Sequence, residues 1–134
     1  MARNPEATFR AAVERHLPEA VYRQSMGSMY ANGTPDRYYE GPAGVLWAEY
    51  KYVAKLPGVL DMSKKLSALQ TYWLDRAERN GVSVCVILGW GSTYGAVFVS
   101  GAWHKTYENN TLLFSALTRP QLAGFIAGFT LESS

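Results

Sequence analysis

The sequence predicts an α/β or α+β fold in which a small mixed β-sheet is flanked by helices. Segments with helical periodicity open, divide and close the chain, and strand-like apolar segments lie between them. The length of 134 residues fits one domain with a sizeable core. We therefore expect a single domain over residues 1–134, with a core at about 6–100 and a C-terminal strand and helix at about 111–129.

The first helix is predicted to begin after Asn4, because Asn is a favoured N-cap and Pro5 suits the first helical position. Apolar residues then recur at helical spacing until Pro18 ends the helix. Glu14 lies at the edge of this apolar stripe, so its carboxylate is either solvated or directed into a site over the sheet. Residues 21–30 are expected to be extended and irregular.

A β-hairpin is predicted around residues 41–44, which read Gly-Pro-Ala-Gly. If Glu40 pairs with Val45, counting back along both strands places Asp36 directly opposite Glu49. Residues in that relation share a face, with Cβ atoms about 5 Å apart. Two carboxylates so close repel each other, which favours a cation between them.

Lys51 follows Glu49 by two residues and should share its face of the sheet. We expect the Asp36 and Glu49 carboxylates to approach within about 5 Å. Tyr50 and Tyr52 should point to the opposite face. Two acids and a lysine that converge in this way indicate a metal-dependent hydrolytic site.

The rest of the chain supplies the remaining strands and helices. A Ser67 to Gln70 capping pattern opens the second helix, and Asn80-Gly81 ends it. A second capping pattern at residues 118–121 opens the last helix. The predicted order is loop 56–65, helix 67–80, strand 82–90, strand 96–100, edge strand 111–114 and a helix from 118 to 129.

Gln70 falls on the inward face of its helix, so its amide needs hydrogen-bond partners. One interpretation directs it at Lys51, a water or a phosphate. The other is purely structural, because Gln70 would bond the backbone amide of Ser67 in a capping box. The pattern alone leaves both interpretations open.

The net charge of +2 excludes a uniformly basic protein that coats nucleic acids. Basic residues nevertheless cluster in the sequence around the acidic pair. This local excess suits a polyanionic partner such as DNA, although a mixed solvated surface explains it equally well. The candidate DNA-binding residues are Arg23, Arg37, Lys55, Lys64 and Lys65.

No apolar run approaches about 18 residues, and the N-terminus lacks a signal-peptide pattern. We therefore expect a cytoplasmic protein with no membrane partner. The single cysteine, Cys85, lies in a predicted buried strand and has no internal disulfide partner.

Phosphodiester hydrolysis needs a divalent cation, a deprotonated water and a stabilised leaving oxygen. Mg²⁺ prefers one or two carboxylates together with waters and substrate phosphates, and Asp36 and Glu49 fit that preference. Lys51 would position or activate the water or stabilise developing negative charge. The backbone carbonyl of Tyr50 is a candidate further ligand.

At these residues the chain resembles the PD-(D/E)XK nuclease superfamily, since Pro35-Asp36 matches the first half of its signature and residues 49–51 the second. It is most similar to the VRR-NUC group and to small phage nucleases of the Holliday-junction-resolvase type. The matching features span about residues 6–90 and are Glu14, Gly33-Thr34-Pro35-Asp36, Glu49-Tyr50-Lys51, Ser67-Ala68-Leu69-Gln70, and Gly81 before the apolar strand.

The resemblance implies a restriction-endonuclease-like core and Mg²⁺- or Mn²⁺-dependent DNA cleavage. By that likeness, Asp36 and Glu49 are metal ligands, Lys51 is the catalytic lysine, Glu14 is a further metal-site acid and Gln70 orients the site. Arg37 departs from the pattern, which usually has an apolar residue after Pro-Asp. Small resolvases of this superfamily act as homodimers on branched DNA, and phage or host cytoplasm is their setting.

Two other functions fit the same residues. The chain is alternatively a non-catalytic DNA- or protein-binding module that keeps the nuclease fold. It is alternatively an exonuclease or nickase that acts on linear DNA. Retention of both acids and the lysine favours an enzyme, and the sequence does not separate the modes of cleavage.

Overall fold

The computed structural model describes residues 4–26 and 32–132. Two 3₁₀ turns, Met62–Lys65 and Ala102–His104, accompany the regular elements. Of the helices described, none combines the length and apolar character that crossing a bilayer requires. The elements are α1 Pro5–Glu14, β1 Tyr22–Ser25, β2 Arg37–Gly41, β3 Gly44–Val53, β4 Val59–Asp61, α2 Ala68–Arg79, β5 Val84–Trp90, β6 Tyr94–Phe98, β7 Thr106–Glu108, α3 Asn109–Phe114, β8 Leu117–Thr118 and α4 Arg119–Leu131.

The main sheet has the strand order β1-β2-β3-β5-β6-β8 over the described residues. Strands β3 and β5 pair in parallel, and every other neighbouring pair in this sheet is antiparallel. The parallel pair follows from the long connection through α2, since parallel strands need a crossover rather than a tight turn. Strands β4 and β7 form a separate two-stranded sheet. The predicted mixed sheet is confirmed.

Hydrophobic cores cover both faces of the sheet. Helices α1 and α4 bury one face, where Phe9 and Ile126 pack with Tyr50 of β3. Helix α2 covers part of the other face, where Leu74 packs with Val86 of β5. Because side chains alternate along β3, neighbouring residues of this strand belong to different cores.

The hairpin has the predicted register. Glu40 pairs with Val45 and Arg37 pairs with Ala48. Continuing this register by one pair places Asp36, just before β2, opposite Glu49. Strand β3 continues beyond its pairing with β2, and there it is bonded on its other side to β5.

Three segments differ in detail from the sequence prediction. Residues 56–65, predicted to be a loop, contain strand β4 and a 3₁₀ turn. Residues 111–114 were expected to form an edge strand, but they lie in helix α3. Only Leu112 of this apolar run is buried, and Phe114 is 95% exposed, so the run has one inward side chain rather than a strand face. The expected extended segment 21–30 contains β1, and its residues 27–30 lie outside the described residues.

Candidate metal centre

Three carboxylates converge beside the part of β3 that continues beyond its pairing with β2. One oxygen each from Glu6, Asp36 and Glu49 lies within 4.8 Å of the other two. The predicted approach of Asp36 and Glu49 is confirmed by this distance. Glu6, in the first turn of α1, is a third acid that the sequence analysis did not select.

Backbone N–H groups on both sides of β2 hold Asp36, which lies just before this strand. The Asp36 carboxylate accepts a hydrogen bond of 3.0 Å from the backbone N–H of Tyr50. Its own backbone carbonyl accepts one of 2.9 Å from Met26, just past β1. Both strands that flank β2 therefore hold this residue in position.

Glu49 is the most buried acid of the group, with 1% of its surface exposed. Burial and the neighbouring Asp36 carboxylate raise the pKa of Glu49 to about 8, although Lys51 opposes the shift. Its Oε2 accepts a 3.0 Å hydrogen bond from Gln70. Its Oε1 is buried and has no hydrogen-bond partner among the described residues. A buried, unpaired carboxylate oxygen is costly, so this atom is suited to a cation.

Lys51 lies on the same face as Glu49, as the strand alternation predicts. Its Nζ is 3.6 Å from Glu49 Oε2, and its side chain is 17% exposed. Tyr50 and Tyr52 point to the opposite face, where both rings lie about 6 Å from Phe9, at 5.9 and 6.0 Å between centroids. The predicted division of β3 into an acidic face and an aromatic face is confirmed.

Gln70 makes the capping bond that the structural interpretation predicts, and it also contacts the acidic cluster. Its side-chain oxygen accepts a hydrogen bond of 2.9 Å from the Ser67 backbone amide, which completes the capping box. Its side-chain nitrogen donates to Glu49, not to Lys51. The amide therefore caps the N-terminus of α2 and orients the buried acid at the same time.

Glu14 does not lie with the three acids. Arg37 donates two hydrogen bonds of 2.7 Å to the Glu14 carboxylate, and Tyr39 donates a third of 2.6 Å. Burial alone would raise the pKa of Glu14, but these hydrogen bonds lower it. The expected metal-site acid is therefore a structural ion-pair partner.

Helix geometry explains why Glu6, and not Glu14, lies beside Asp36 and Glu49. The two residues belong to the same helix but stand eight positions apart, or about 12 Å along its axis. Glu6 precedes the buried Phe9 by three positions and Val13 by seven, so it shares their stripe. That spacing was a usable sequence signal, but an acid in the first turn also reads as an ordinary helix-dipole residue.

The cluster opens into a cavity of about 390 Å³. Arg10 brings a second cation to its wall besides Lys51, and the sequence analysis did not select it. The cavity is lined by Asn4, Glu6, Arg10, Ser25, Asp36, Glu49, Lys51 and Gln70.

The structure separates the five candidate DNA-binding residues. Arg37 is held by Glu14, and Arg23 donates to the Glu14 backbone carbonyl at 3.0 Å, so both arginines support α1. Lys55, Lys64 and Lys65 are exposed. None of the five is among the described residues that line the cavity.

No protein-family model matches the sequence, and no curated protein sequence matches it at a significant level. Among solved structures, the fold is similar to that of Hjc, a Holliday junction resolvase from the archaeal hyperthermophile Archaeoglobus fulgidus. The alignment has a TM-score of 0.60 and 16% identity, and it covers 90% of this chain and 97% of the resolvase. The likeness shows that this chain has a resolvase-like mixed α+β fold, which confirms the predicted fold class.

Proposed function

We propose that this protein is a divalent-metal-dependent nuclease that hydrolyses DNA phosphodiester bonds. The observation that supports this most is the convergence of Glu6, Asp36 and Glu49 within 4.8 Å, with Lys51 beside them. The similarity to a solved Holliday junction resolvase supports branched DNA as the substrate. That the acting form is a homodimer is proposed from the sequence resemblance alone.

The acidic cluster fits Mg²⁺ or Mn²⁺, because both take oxygen ligands. Asp36, Glu49 and Glu6 would supply carboxylate oxygens, and Oε1 of Glu49 has no hydrogen-bond partner in the described part of the chain. The Tyr50 carbonyl is a further candidate. The Tyr50 N–H bonds Asp36, and the N–H and C=O of a strand residue point to the same side. When bound, the cation would polarise the phosphate and stabilise the charge that develops on its oxygens.

Lys51 would act on the reacting phosphate. Its ammonium lies 3.6 Å from Glu49 and remains partly exposed to the cavity, so it can reach a bound phosphate or a water beside it. A fixed positive charge at that position stabilises negative charge in the transition state. Gln70 would act indirectly, since its hydrogen bond holds Oε2 of Glu49 and leaves Oε1 for the cation.

Arg10 and the exposed lysines are candidates for binding the DNA backbone. Arg10 lies in the cavity wall, where it would meet a phosphate near the cleaved bond. Lys55, Lys64 and Lys65 would contact phosphates farther away and make binding dependent on salt. The VRR-NUC likeness, the phage setting and the cytoplasmic location remain predictions from the sequence.

The test is cleavage of a labelled four-way junction, a flap, a duplex and a single strand in Mg²⁺, Mn²⁺ or EDTA. We expect cleavage that requires the cation and falls about a hundredfold or more in Asp36→Asn and Lys51→Ala. Glu108→Gln removes an exposed carboxylate outside the cavity and should keep full activity.

Undiminished cleavage by both site variants would refute the assignment of these residues. Binding of branched DNA without turnover in either cation would refute catalysis and favour a binding module. Release of mononucleotides from DNA ends would favour an exonuclease.

A further inference from the structure

A run of aromatic rings crosses the sheet beside the acidic cluster. It consists of Tyr22, Tyr38, Trp47 and Trp73, which we call the aromatic strip. Consecutive ring centroids are 6.3, 5.1 and 5.2 Å apart, as expected for interacting aromatic pairs. The strip extends from the edge strand β1 across β2 and β3 to helix α2.

The aromatic strip lies on the face that carries the acids. Tyr38 follows Asp36 by two residues, Trp47 precedes Glu49 by two, and the hairpin register pairs Tyr38 with Trp47. Side chains two residues apart share a face and stand about 7 Å apart along the strand. A nucleic-acid strand that has a phosphate at the cluster and runs back along β3 would therefore place its neighbouring nucleotides over the strip.

The two ends of the aromatic strip differ in exposure. Trp47 packs against Trp73 of α2 and belongs to the margin of the core. Tyr22 is 54% exposed. Its hydroxyl donates to Gln24 at 3.1 Å, and the Tyr38 hydroxyl donates to Glu40, so hydrogen bonds along the strands hold both rings. A surface ring that is already held loses little conformational entropy when a flat partner stacks on it.

The polar groups around the exposed end favour bases over phosphates. Gln24 and Glu40 offer acceptor oxygens, and a carboxylate there repels a phosphate but accepts from a base amino group. The cations Lys51 and Arg10 stand in the cavity, on the side of the cluster. Phosphate contacts are thus assigned to the cavity and base contacts to the Tyr22 end of the strip, since at the other end the Arg76 guanidinium lies 5.0 Å from the centre of the Trp73 ring.

Resting on the proposed nuclease function, we propose that the aromatic strip stacks unpaired bases of the strand whose phosphate lies at the acidic cluster. The bases of a duplex already stack on each other, whereas unpaired bases are free to stack on aromatic side chains. The preferred substrate therefore has a single-stranded segment beside the cleaved bond, such as a flap or an unpaired junction arm.

The test measures binding of a fluorescent flap in an Asp36→Asn background, in which cleavage is suppressed. A second flap is identical but has abasic sites in the unpaired segment. Tyr22→Ala should weaken binding of the normal flap roughly 5- to 100-fold. It should leave binding of the abasic flap and of a full duplex unchanged.

Two variants control for ring chemistry and for exposure. Tyr22→Phe keeps the ring and should bind the normal flap like the parent. Tyr94→Ala removes a 44% exposed tyrosine from β6 and should also bind like the parent. Equal weakening of normal and abasic flaps by Tyr22→Ala would overturn the proposal, as would a change in oligomeric state, which would make the strip a contact between copies of this chain.

Cleavage by the otherwise unmodified protein separates this proposal from the proposed function. If the flap is cut in Mn²⁺ and Tyr22→Ala affects normal and abasic flaps alike, the strip proposal fails and the nuclease remains. If no DNA is cut but Tyr22→Ala still weakens only the normal flap, the nuclease fails and the stacking surface remains.

Discussion

The side chain of Gln70 connects the N-terminus of α2 to the buried carboxylate of Glu49. Its nitrogen donates to Glu49 Oε2 at 3.0 Å, and its oxygen accepts from Ser67 at 2.9 Å. A second capping box, formed by Thr118 and Gln121, opens α4. The two boxes have the same local geometry, but the Gln121 side chain is exposed and lies outside the cavity lining.

Replacement of Gln70 by Ala should therefore weaken Mn²⁺ binding, measured by calorimetry, by about 10- to 100-fold, the usual loss when a partner of a metal ligand is removed. The variant loses both the capping bond and the bond to the buried Oε2 of Glu49, so the unfolding free energy in urea should fall by about 2–4 kcal/mol. Gln121→Ala loses the same kind of capping bond and should leave Mn²⁺ binding unchanged. Equal effects of both variants on Mn²⁺ binding would contradict a role for Gln70 at the site.

Replacement by Gln should affect metal binding at Glu6 and stability at Glu14. Glu6→Gln removes a candidate ligand and should reduce Mn²⁺ affinity by more than about 10-fold, with little loss of stability. Glu14→Gln leaves the Arg37 guanidinium without its carboxylate partner and should cost about 3–5 kcal/mol of unfolding free energy. The two measurements are metal titration and urea denaturation. If Glu6→Gln retains the Mn²⁺ affinity of the parent, Glu6 is not a metal ligand and only Asp36 and Glu49 supply carboxylates.

The Glu14 contribution should disappear in acid. Its pKa is lowered from 4.5 in the folded protein, so its stabilising effect is complete above the pKa of an unfolded glutamate. The effect is lost as the pH falls through the lowered value. The stability difference between the parent and Glu14→Gln should therefore shrink below about pH 4.5 in urea titrations. A difference that stays constant down to strongly acid pH would contradict the ion pair.

The raised pKa of Glu49 predicts the opposite dependence in the metal-free protein. The folded state holds this proton up to about pH 8, against 4.5 for an ordinary glutamate. The resulting stability is complete below the lower value and is lost as the pH rises through the higher one. In EDTA, the melting temperature of the parent should decrease as the pH rises from 4.5 to about 8. The melting temperature of Glu49→Gln should depend less on pH over the same range. Parallel profiles would exclude a raised pKa at Glu49.

Metal binding must displace that proton, so Mn²⁺ affinity should rise with pH up to about 8. Calorimetry in buffers with different ionisation enthalpies would report the released proton directly. Proton release that is unchanged in Glu49→Gln would assign the proton to another group.

Gly33 should tolerate no side chain. Its φ is +80°, and a Cβ atom there would lie 2.1 Å from the Leu69 carbonyl oxygen in the first turn of α2. Gly33→Ala should therefore move that turn, which bears Gln70, and destabilise the protein by about 1–3 kcal/mol or more. Mn²⁺ binding should weaken as well. Gly58→Ala, where a Cβ meets open space, should change stability by less than about 0.5 kcal/mol.

The acidic hairpin was predictable because local chemistry determines its register. The Gly-Pro-Ala-Gly turn sets Glu40 opposite Val45, and the period of two then places Asp36, Glu49 and Lys51 on one face. The capping role of Gln70 was likewise readable from Ser67, three residues earlier.

The third acid was harder to predict because its position depends on how α1 docks. Glu6 and Glu14 both lie near the apolar stripe, and the sequence does not show which end of the helix meets the hairpin. The partner of Glu14 is Arg37, from a distant strand, and this pairing decides the matter. The short apolar run at residues 112–114 was ambiguous for another reason, since periodicity does not separate a short strand from a short helix.

Helix α1 is attached to the sheet very differently at its two ends. At its last residue, Glu14 is held by a two-pronged ion pair, whereas at its first turn Glu6 faces two other acids. Without a cation, the first turn should open locally more often than the last, and amide hydrogen exchange at residues 8–10 should be fast. A bound cation would slow that exchange by joining the turn to β3. The metal would then also control how often the first turn of α1, which forms part of its own binding site, opens locally.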